Sequence, residues 1–135
     1  MPTFELEIVT PEKTVYTGTV ESFRAPGTTG GFGVLPRHHP MLASLTVGHF
    51  LVREPGEAPI RFSTSGGFVE VQRDRVTVLA ETAIPADQID VARAEAARDR
   101  AAERLKRRRE EDVDVARAEA ALARAINRLR AVSAE

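Results

Sequence analysis

A chain of 135 residues with a formal charge of −1 is one domain, or one domain with an appendage, and has no global pull toward nucleic acid or anionic lipid. It contains no cysteine, which excludes a disulfide framework and thiolate metal sites and suits a reducing compartment. The opening "MPTFELEIVTPEK" has no basic stretch followed by an apolar run, and the longest apolar runs fall far short of a membrane span. No signal or transit peptide is expected, and the protein is expected to be soluble or peripheral.

From the start of the chain, apolar side chains alternate with polar ones. Phe4, Leu6 and Ile8 point one way while Glu5 and Glu7 point the other. Leu45, Val47 and Leu51 are interleaved with small or polar residues and read as one inward series; Ile60, Phe62 and Thr64 repeat the pattern, as do Phe68, Glu70 and Val71, then Val76 and Val78. A period of two over short segments means half-buried strands. The stretches "APGTTGGFG", "REPGEAP", "SGG" and "RDR" separate them as turns. Many short strands without helical period predict an antiparallel sandwich or barrel. All seven aromatic residues precede residue 69 and are expected to help close its core.

Composition changes near residue 85. From 86 onward there is no aromatic residue, and Ala, Arg and Glu dominate. Pro85 stops a helix from running backward, and Asp87 is the expected N-cap of a helix reaching about Arg109. The acidic "EEDVD" follows, so Asp112 or Asp114 caps a second helix that ends near Val132. Its apolar stripe reads Val115, Ala118, Leu122, Ile126, Leu129, Val132; the first helix has a thinner one, Val91, Ala94, Ala97, Ala101, Leu105. A turn of about two residues predicts antiparallel packing. The expected class is α+β: an N-terminal antiparallel β-sandwich over residues 1–85, then a C-terminal antiparallel two-helix hairpin over residues 86–135. An alanine methyl buries little, about 0.8 kcal/mol per buried carbon group, so the hairpin is expected to be weakly held and able to detach or straighten.

Little here builds an active site. "GTTGGFG" (27–33) is followed by strand-like sequence and reads as a turn, not a phosphate loop. His38 and His39 are adjacent on an extended segment and point to opposite sides, so no metal site is expected. With three histidines and no nucleophile–base constellation, no catalytic residue is assigned. The basic run Leu105–Arg109 has no interleaved aromatics and meets acids at 110–112, so no nucleic-acid partner is expected.

Five segments carry a family resemblance: "IVTPEKTVY" (8–16), "GVLPRHHPML" (33–42), "SGGFVEV" (65–71), "VTVLA" (76–80) and "IDVARA" (89–94). In this order the sequence resembles the epsilon subunit of the rotary F-type ATP synthase. The resemblance implies a non-catalytic rotor subunit of the central stalk, peripheral to the cytoplasmic face of a bacterial plasma membrane. Its implied partners are the gamma subunit, the c-ring and the alpha/beta catalytic subunits. The hairpin is expected to fold down on the sandwich, or to extend along gamma and block ATP hydrolysis. No cofactor is required, but some bacterial relatives bind regulatory ATP on the folded hairpin. The other readings are a generic binding module presenting the hairpin on a sandwich scaffold, and a small enzyme of unknown type.

Placing the hairpin turn at Asp112 sets Arg100 opposite Arg124. Arg93 and Arg100 share a face of the first helix, and Arg124 and Arg128 share a face of the second. Four guanidinium groups lining one cleft suit phosphate oxygens. The resemblance implies Ile89, Asp90, Arg93, Ala94, Arg100, Arg124 and Arg128 as members of an ATP site. Asp90 would accept from an adenosine hydroxyl or pair with Arg93. Ile84 stands where nucleotide-binding relatives have an acid. The resemblance also implies that Gly31, His38, His39 and Pro40 face the stalk, with Gly31 replacing an acid. Arg107, Arg108 and Arg109 would meet an acidic segment of the catalytic subunits.

Overall fold

The computed structural model describes residues 2–107 and 114–133. Ten strands come first: β1 (Phe4–Val9), β2 (Thr14–Val20), β3 (Ser22–Gly27), β4 (Gly30–Val34), β5 (Met41–Leu45), β6 (Gly48–Arg53), β7 (Ile60–Thr64), β8 (Gly67–Val71), β9 (Arg75–Ala80) and β10 (Ala83–Pro85). A 3₁₀ turn, Ala86–Gln88, leads to the helices α1 (Val91–Lys106) and α2 (Val115–Ser133). The chain forms two compact units, Met1–Ala86 and Asp87–Glu135.

The strands make one continuous sheet in the order β10-β7-β6-β3-β5-β8-β9-β1-β2, with β4 paired to β3. The sheet folds over itself into a sandwich. Every described pairing is antiparallel except that of β1 with β9, which is parallel. Alternation along β1 buries Phe4, Leu6 and Ile8 and leaves Glu5 and Glu7 outside the core. The rings of Phe23 and Phe50 lie 5.5 Å apart in that core, and Tyr16 meets Phe62 edge-on at 5.9 Å. Each large apolar side chain so buried contributes about 1.5–3 kcal/mol.

Two inward series differ from the sequence expectation. Leu45 is buried but Val47 and Leu51 are only half-buried; Phe50 and Val52 fill the core instead. The turn at Thr46–Val47 separates β5 from β6 and resets the phase, and a shift of one residue exchanges the two faces of a strand. In β8, Val69 and Val71 point inward, so Phe68 is 55% exposed and does not help close the core.

Two backbone features show what the motifs do. Gly66 and Gly67 adopt φ of 121° and 142°, and a Cβ on Gly67 would run into the Leu79 carbonyl oxygen. Only glycine lets β8 lie this close to β9 at that point. Arg37 has φ 63°, in a turn closed by the His38 amide donating to the Leu35 carbonyl at 3.2 Å. Pro36 pre-sets the first corner of that turn, and the second corner ordinarily favours glycine or asparagine.

The helical unit starts three residues later than Asp87 suggests. Asp87 lies in the 3₁₀ turn, and Asp90 is the N-cap: its backbone is extended and its carboxylate accepts the Arg93 amide at 3.0 Å. Asp114 caps α2 in the same way, accepting the Arg117 amide at 3.0 Å. Helix α1 ends at Lys106 with Arg107 as C-cap, so it stops short of Arg109. The helix ends leave more than two residues between them. Asp112, the expected centre of the turn, lies outside the described residues, as do Arg108 and Arg109.

Helices α1 and α2 pack extensively on each other as an antiparallel hairpin. The fully buried positions are Ala94 and Ala101 on α1 and Ala118, Ala125 and Ala131 on α2. Leu122, Ile126 and Leu129 are half-buried, and Val91 and Val132 are 38% and 41% exposed. The seam therefore runs along alanines six or seven residues apart within each helix, not along the larger apolar stripe. Only small side chains fit where two helix axes come close.

Candidate functional site

The hairpin gathers charge beside its alanine seam. Arg93 flanks buried Ala94 on α1; Arg124 and Arg128, one turn apart, flank buried Ala125 on α2. Arg128 is half-buried. Burial, then the charges of Arg124 and Arg93, hold its guanidinium below the usual arginine value. Arg128 therefore lies within electrostatic reach of two of the other expected arginines, one on each helix. Arg100 lies two turns further along α1 than Arg93, and it is not among the groups acting on Arg128. Among the described residues the ion pairs are Arg98–Asp99 at 3.1 Å and Arg107–Glu103 at 3.5 Å; none of the three clustered arginines is engaged in either.

Asp90 stands beside this cluster with one oxygen committed to the cap of α1. The carboxylate binds the Arg93 backbone, not its side chain. A carboxylate has about four lone-pair directions, so the second oxygen retains capacity for a hydroxyl donor. Ile89 is half-buried and Ala94 is buried. The arrangement suits an anion with several oxygens: it would relieve repulsion among fixed guanidinium groups and accept their N–H donors.

The sandwich offers a different surface. Leu42 on β5, Phe68 on β8 and Leu79 on β9 are 73%, 55% and 57% exposed. Phe68 pairs directly with Leu79, while Leu42 pairs with Glu70, one step away on the same face of the sheet. Three large apolar side chains thus share one outer face, and exposed patches of this kind mark interaction surfaces. Sequence reasoning missed them because it counted Phe68 as core. The buried positions Val69, Val71, Val76 and Val78 fix the opposite phase, so the phase of β8 and β9 was the available signal.

The loop residues are placed as follows. Gly31 is exposed on β4 opposite Pro26, and a Cβ there would meet the Ala25 carbonyl oxygen at an ordinary 3.7 Å. His38 donates through Nδ1 to the His39 carbonyl at 2.7 Å; His39 and Pro40 are exposed. Arg107 is occupied by the α1 C-cap and by Glu103. Among the described residues, no three acidic or histidine side chains lie close enough to hold a metal. No described helix is long and apolar enough to cross a membrane.

A further signal lay unread in the sequence. The octapeptide "DVARAEAA" occurs twice, at 90–97 and at 114–121. Beyond it the two helices keep Arg100 and Arg124, Ala101 and Ala125, Arg104 and Arg128, and Leu105 and Leu129 in step. Both copies begin with the same aspartate cap, and both bury their equivalent alanines.

Together these features define a class: a strand sandwich followed by an alanine-seamed helical hairpin, with an apolar outer sheet face and clustered arginines. Residues 3–86 match the family described as ATP synthase, Delta/Epsilon chain, beta-sandwich domain, and residues 87–133 match its long alpha-helix domain. The chain belongs to the ATP synthase delta/epsilon chain family. It is 50% identical over 106 residues to the ATP synthase epsilon chain of Pelotomaculum thermopropionicum, covering 78% of each. It is 44% identical over 105 residues to that of Brevibacillus brevis, covering 78% of this chain and 80% of the relative. Its fold is similar to a chain in the mitochondrial ATP synthase of Euglena gracilis, with TM-score 0.78 at 22% identity, covering 91% of this chain and 77% of that one. A central stalk and c-ring structure from Tetrahymena thermophila gives TM-score 0.61 at 15% identity, covering 96% of each chain.

Proposed function

We propose that this chain is a non-catalytic rotor subunit of a proton-translocating ATP synthase, peripheral to the cytoplasmic face of a bacterial plasma membrane. In this reading it joins the gamma subunit to the c-ring and restrains ATP hydrolysis through its C-terminal hairpin. The observation that carries the reading is family membership across both units, residues 3–86 and 87–133. The bacterial epsilon chains among its relatives, and the fold it shares with a chain of a central stalk and c-ring structure, support the location and partners.

The sandwich face bearing Leu42, Phe68 and Leu79 is read as a stalk contact, together with Gly31 on β4 and His38, His39 and Pro40 in the segment before β5. The hairpin is read as a two-state element. Folded, it holds ATP phosphates through Arg93, Arg124 and Arg128, with Arg100 further along the same helix, and with Ile89, Asp90 and Ala94 beside them. Extended, it turns Arg107, Arg108 and Arg109 toward an acidic segment of the catalytic subunits. ATP shifts this equilibrium only as far as its affinity differs between the states.

Two features support a switch. The seam is built of alanines, which bury little, and the clustered guanidinium groups repel one another until an anion arrives. The deciding experiment compares ATP hydrolysis by the assembled complex with the whole chain and with a chain lacking residues 87–135. Hydrolysis should rise severalfold on deletion. Unchanged hydrolysis would end the inhibitory role and leave the stalk role standing.

A further inference from the structure

The two halves of the folded sheet carry opposite charge. Strands β3, β4, β6, β7 and β10 hold three arginines, Arg24, Arg53 and Arg61, and no carboxylate. Strands β1, β2, β5, β8 and β9 hold three carboxylates, Glu5, Glu7 and Glu70, against one cation, Arg75. Phe23, Phe50, Val52 and Phe62 fill the core, so strand alternation puts the three arginines on the outer side of the first half. The three carboxylates share the outer side of the second half with Leu42, Phe68 and Leu79.

That second face is ordered in rows. Val9, Leu79 and Phe68 are successive neighbours across β1, β9 and β8. One row over, about 7 Å along the strands, Glu7, Thr77, Glu70 and Leu42 are successive neighbours across β1, β9, β8 and β5. Glu7 and Glu70 are therefore two strand spacings apart, about 10 Å. Glu5 accepts the Thr19 hydroxyl at 2.7 Å, and Glu70 accepts the Gln72 amide at 2.8 Å. Neutral donors of this kind leave the negative charge in place. None of the three carboxylates takes part in an ion pair among the described residues.

We infer that this face docks a cationic amphipathic segment of the stalk partner. Its apolar stripe lies along Val9, Leu79 and Phe68, and two lysine or arginine side chains, spaced about 10 Å apart, reach Glu7 and Glu70. The inference rests on the reading of this face as the stalk contact and adds the chemistry of what covers it. The apolar row supplies most of the affinity, because ion pairs at an exposed rim add little. The carboxylates act on encounter and orientation: they attract the cationic segment, while the arginines of the opposite half repel it. One outer face is thereby chosen over the other.

Surface plasmon resonance of the whole chain over immobilised gamma subunit, at low and at near-physiological ionic strength, tests this. Association of the unaltered chain should slow as salt rises. Glu7→Gln with Glu70→Gln should slow association severalfold at low salt and flatten its salt dependence, with a smaller effect on dissociation. Glutamine keeps an acceptor for Gln72, and circular dichroism checks the fold of each variant. Arg24→Gln with Arg61→Gln should not slow association. If the glutamate pair changes neither rate nor salt dependence while Asp at Leu42, Phe68 and Leu79 still weakens binding, the stalk contact stands and the cationic partner is overturned. If the arginine pair slows association instead, the opposite face is the docking surface. If neither the glutamates nor the apolar residues matter, this face is not the stalk contact and both readings of it fall. Sedimentation of the chain alone covers a second copy: a dimer lost with Leu79→Asp would assign the face to self-association and overturn the inference. Movement of hairpin amide signals in the isolated chain on the glutamate substitutions would assign it to the chain's own helices, with the same consequence.

Discussion

At the residue scale, Tyr16 shows how a polar atom is fitted at the edge of the core. Its hydroxyl donates to Glu54 Oε2 at 2.7 Å while its ring packs edge-on to Phe62. Burial, the hydrogen bond to Glu54 and the charges of Glu54 and Glu5 all raise its pKa above the ordinary phenol value. A raised folded-state pKa favours the protonated form. The associated stability is fully present below the unfolded phenol pKa, about 10, and is lost as pH rises beyond it. Tyr16→Phe should therefore flatten the fall in urea midpoint between pH 9 and pH 11, relative to the unaltered chain. Equal slopes would mean that the phenol is not coupled to folding. Gly18 belongs to the same local arrangement, since a Cβ there would strike the Tyr16 hydroxyl. The sequence showed an isolated tyrosine in a strand, and its partner 38 residues away was not legible from either position.

At the element scale, each helix begins from an aspartate whose carboxylate satisfies an amide that the helix leaves open. Asp90 is thus structural whether or not it also meets a ligand. Asp90→Ala and Asp114→Ala should each lower hairpin stability by about 1 kcal/mol, while the Asn variants should keep most of it. Melting followed by circular dichroism measures both. If Asp114→Ala left the melting curve unchanged, the cap geometry would not be limiting and the equivalence of the two halves would weaken. The existence of two helices was legible, because Ala, Arg and Glu recur with helical spacing and no aromatic interrupts them. The cap of α1 was misplaced because Asp87 and Asp90 both follow Pro85 at plausible distances. Only the backbone shows that the first turn after Pro85 is 3₁₀. The seam was misread for a related reason: size suggested Leu122, Ile126 and Leu129, whereas close helix approach selects Ala118, Ala125 and Ala131.

At the scale of the whole molecule, the rotor reading requires a partner-facing surface on the sandwich. Leu42, Phe68 and Leu79 are large, exposed and on one face of three adjacent strands. Their replacement by Asp should leave the fold intact, because their side chains already face water. It should weaken association with the gamma subunit by tenfold or more, since each buried apolar side chain contributes about 1.5–3 kcal/mol. Co-purification with gamma and surface plasmon resonance check this. Full retention of binding would move the interface to another face.

By itself, the sequence determined the order of elements and their kind. Local periodicity, turn residues and the change of composition near residue 85 act over a few positions and need no distant partner. It also carried the family, through short segments held in a fixed order. Tertiary structure alone decided which face of each strand is inward, that β1 runs parallel to β9, and which arginines share a field. These outcomes depend on register between segments far apart in the chain. A one-residue shift turns Phe68 from core to surface, and a rotation of one helix decides whether Arg128 has Arg93 beside it.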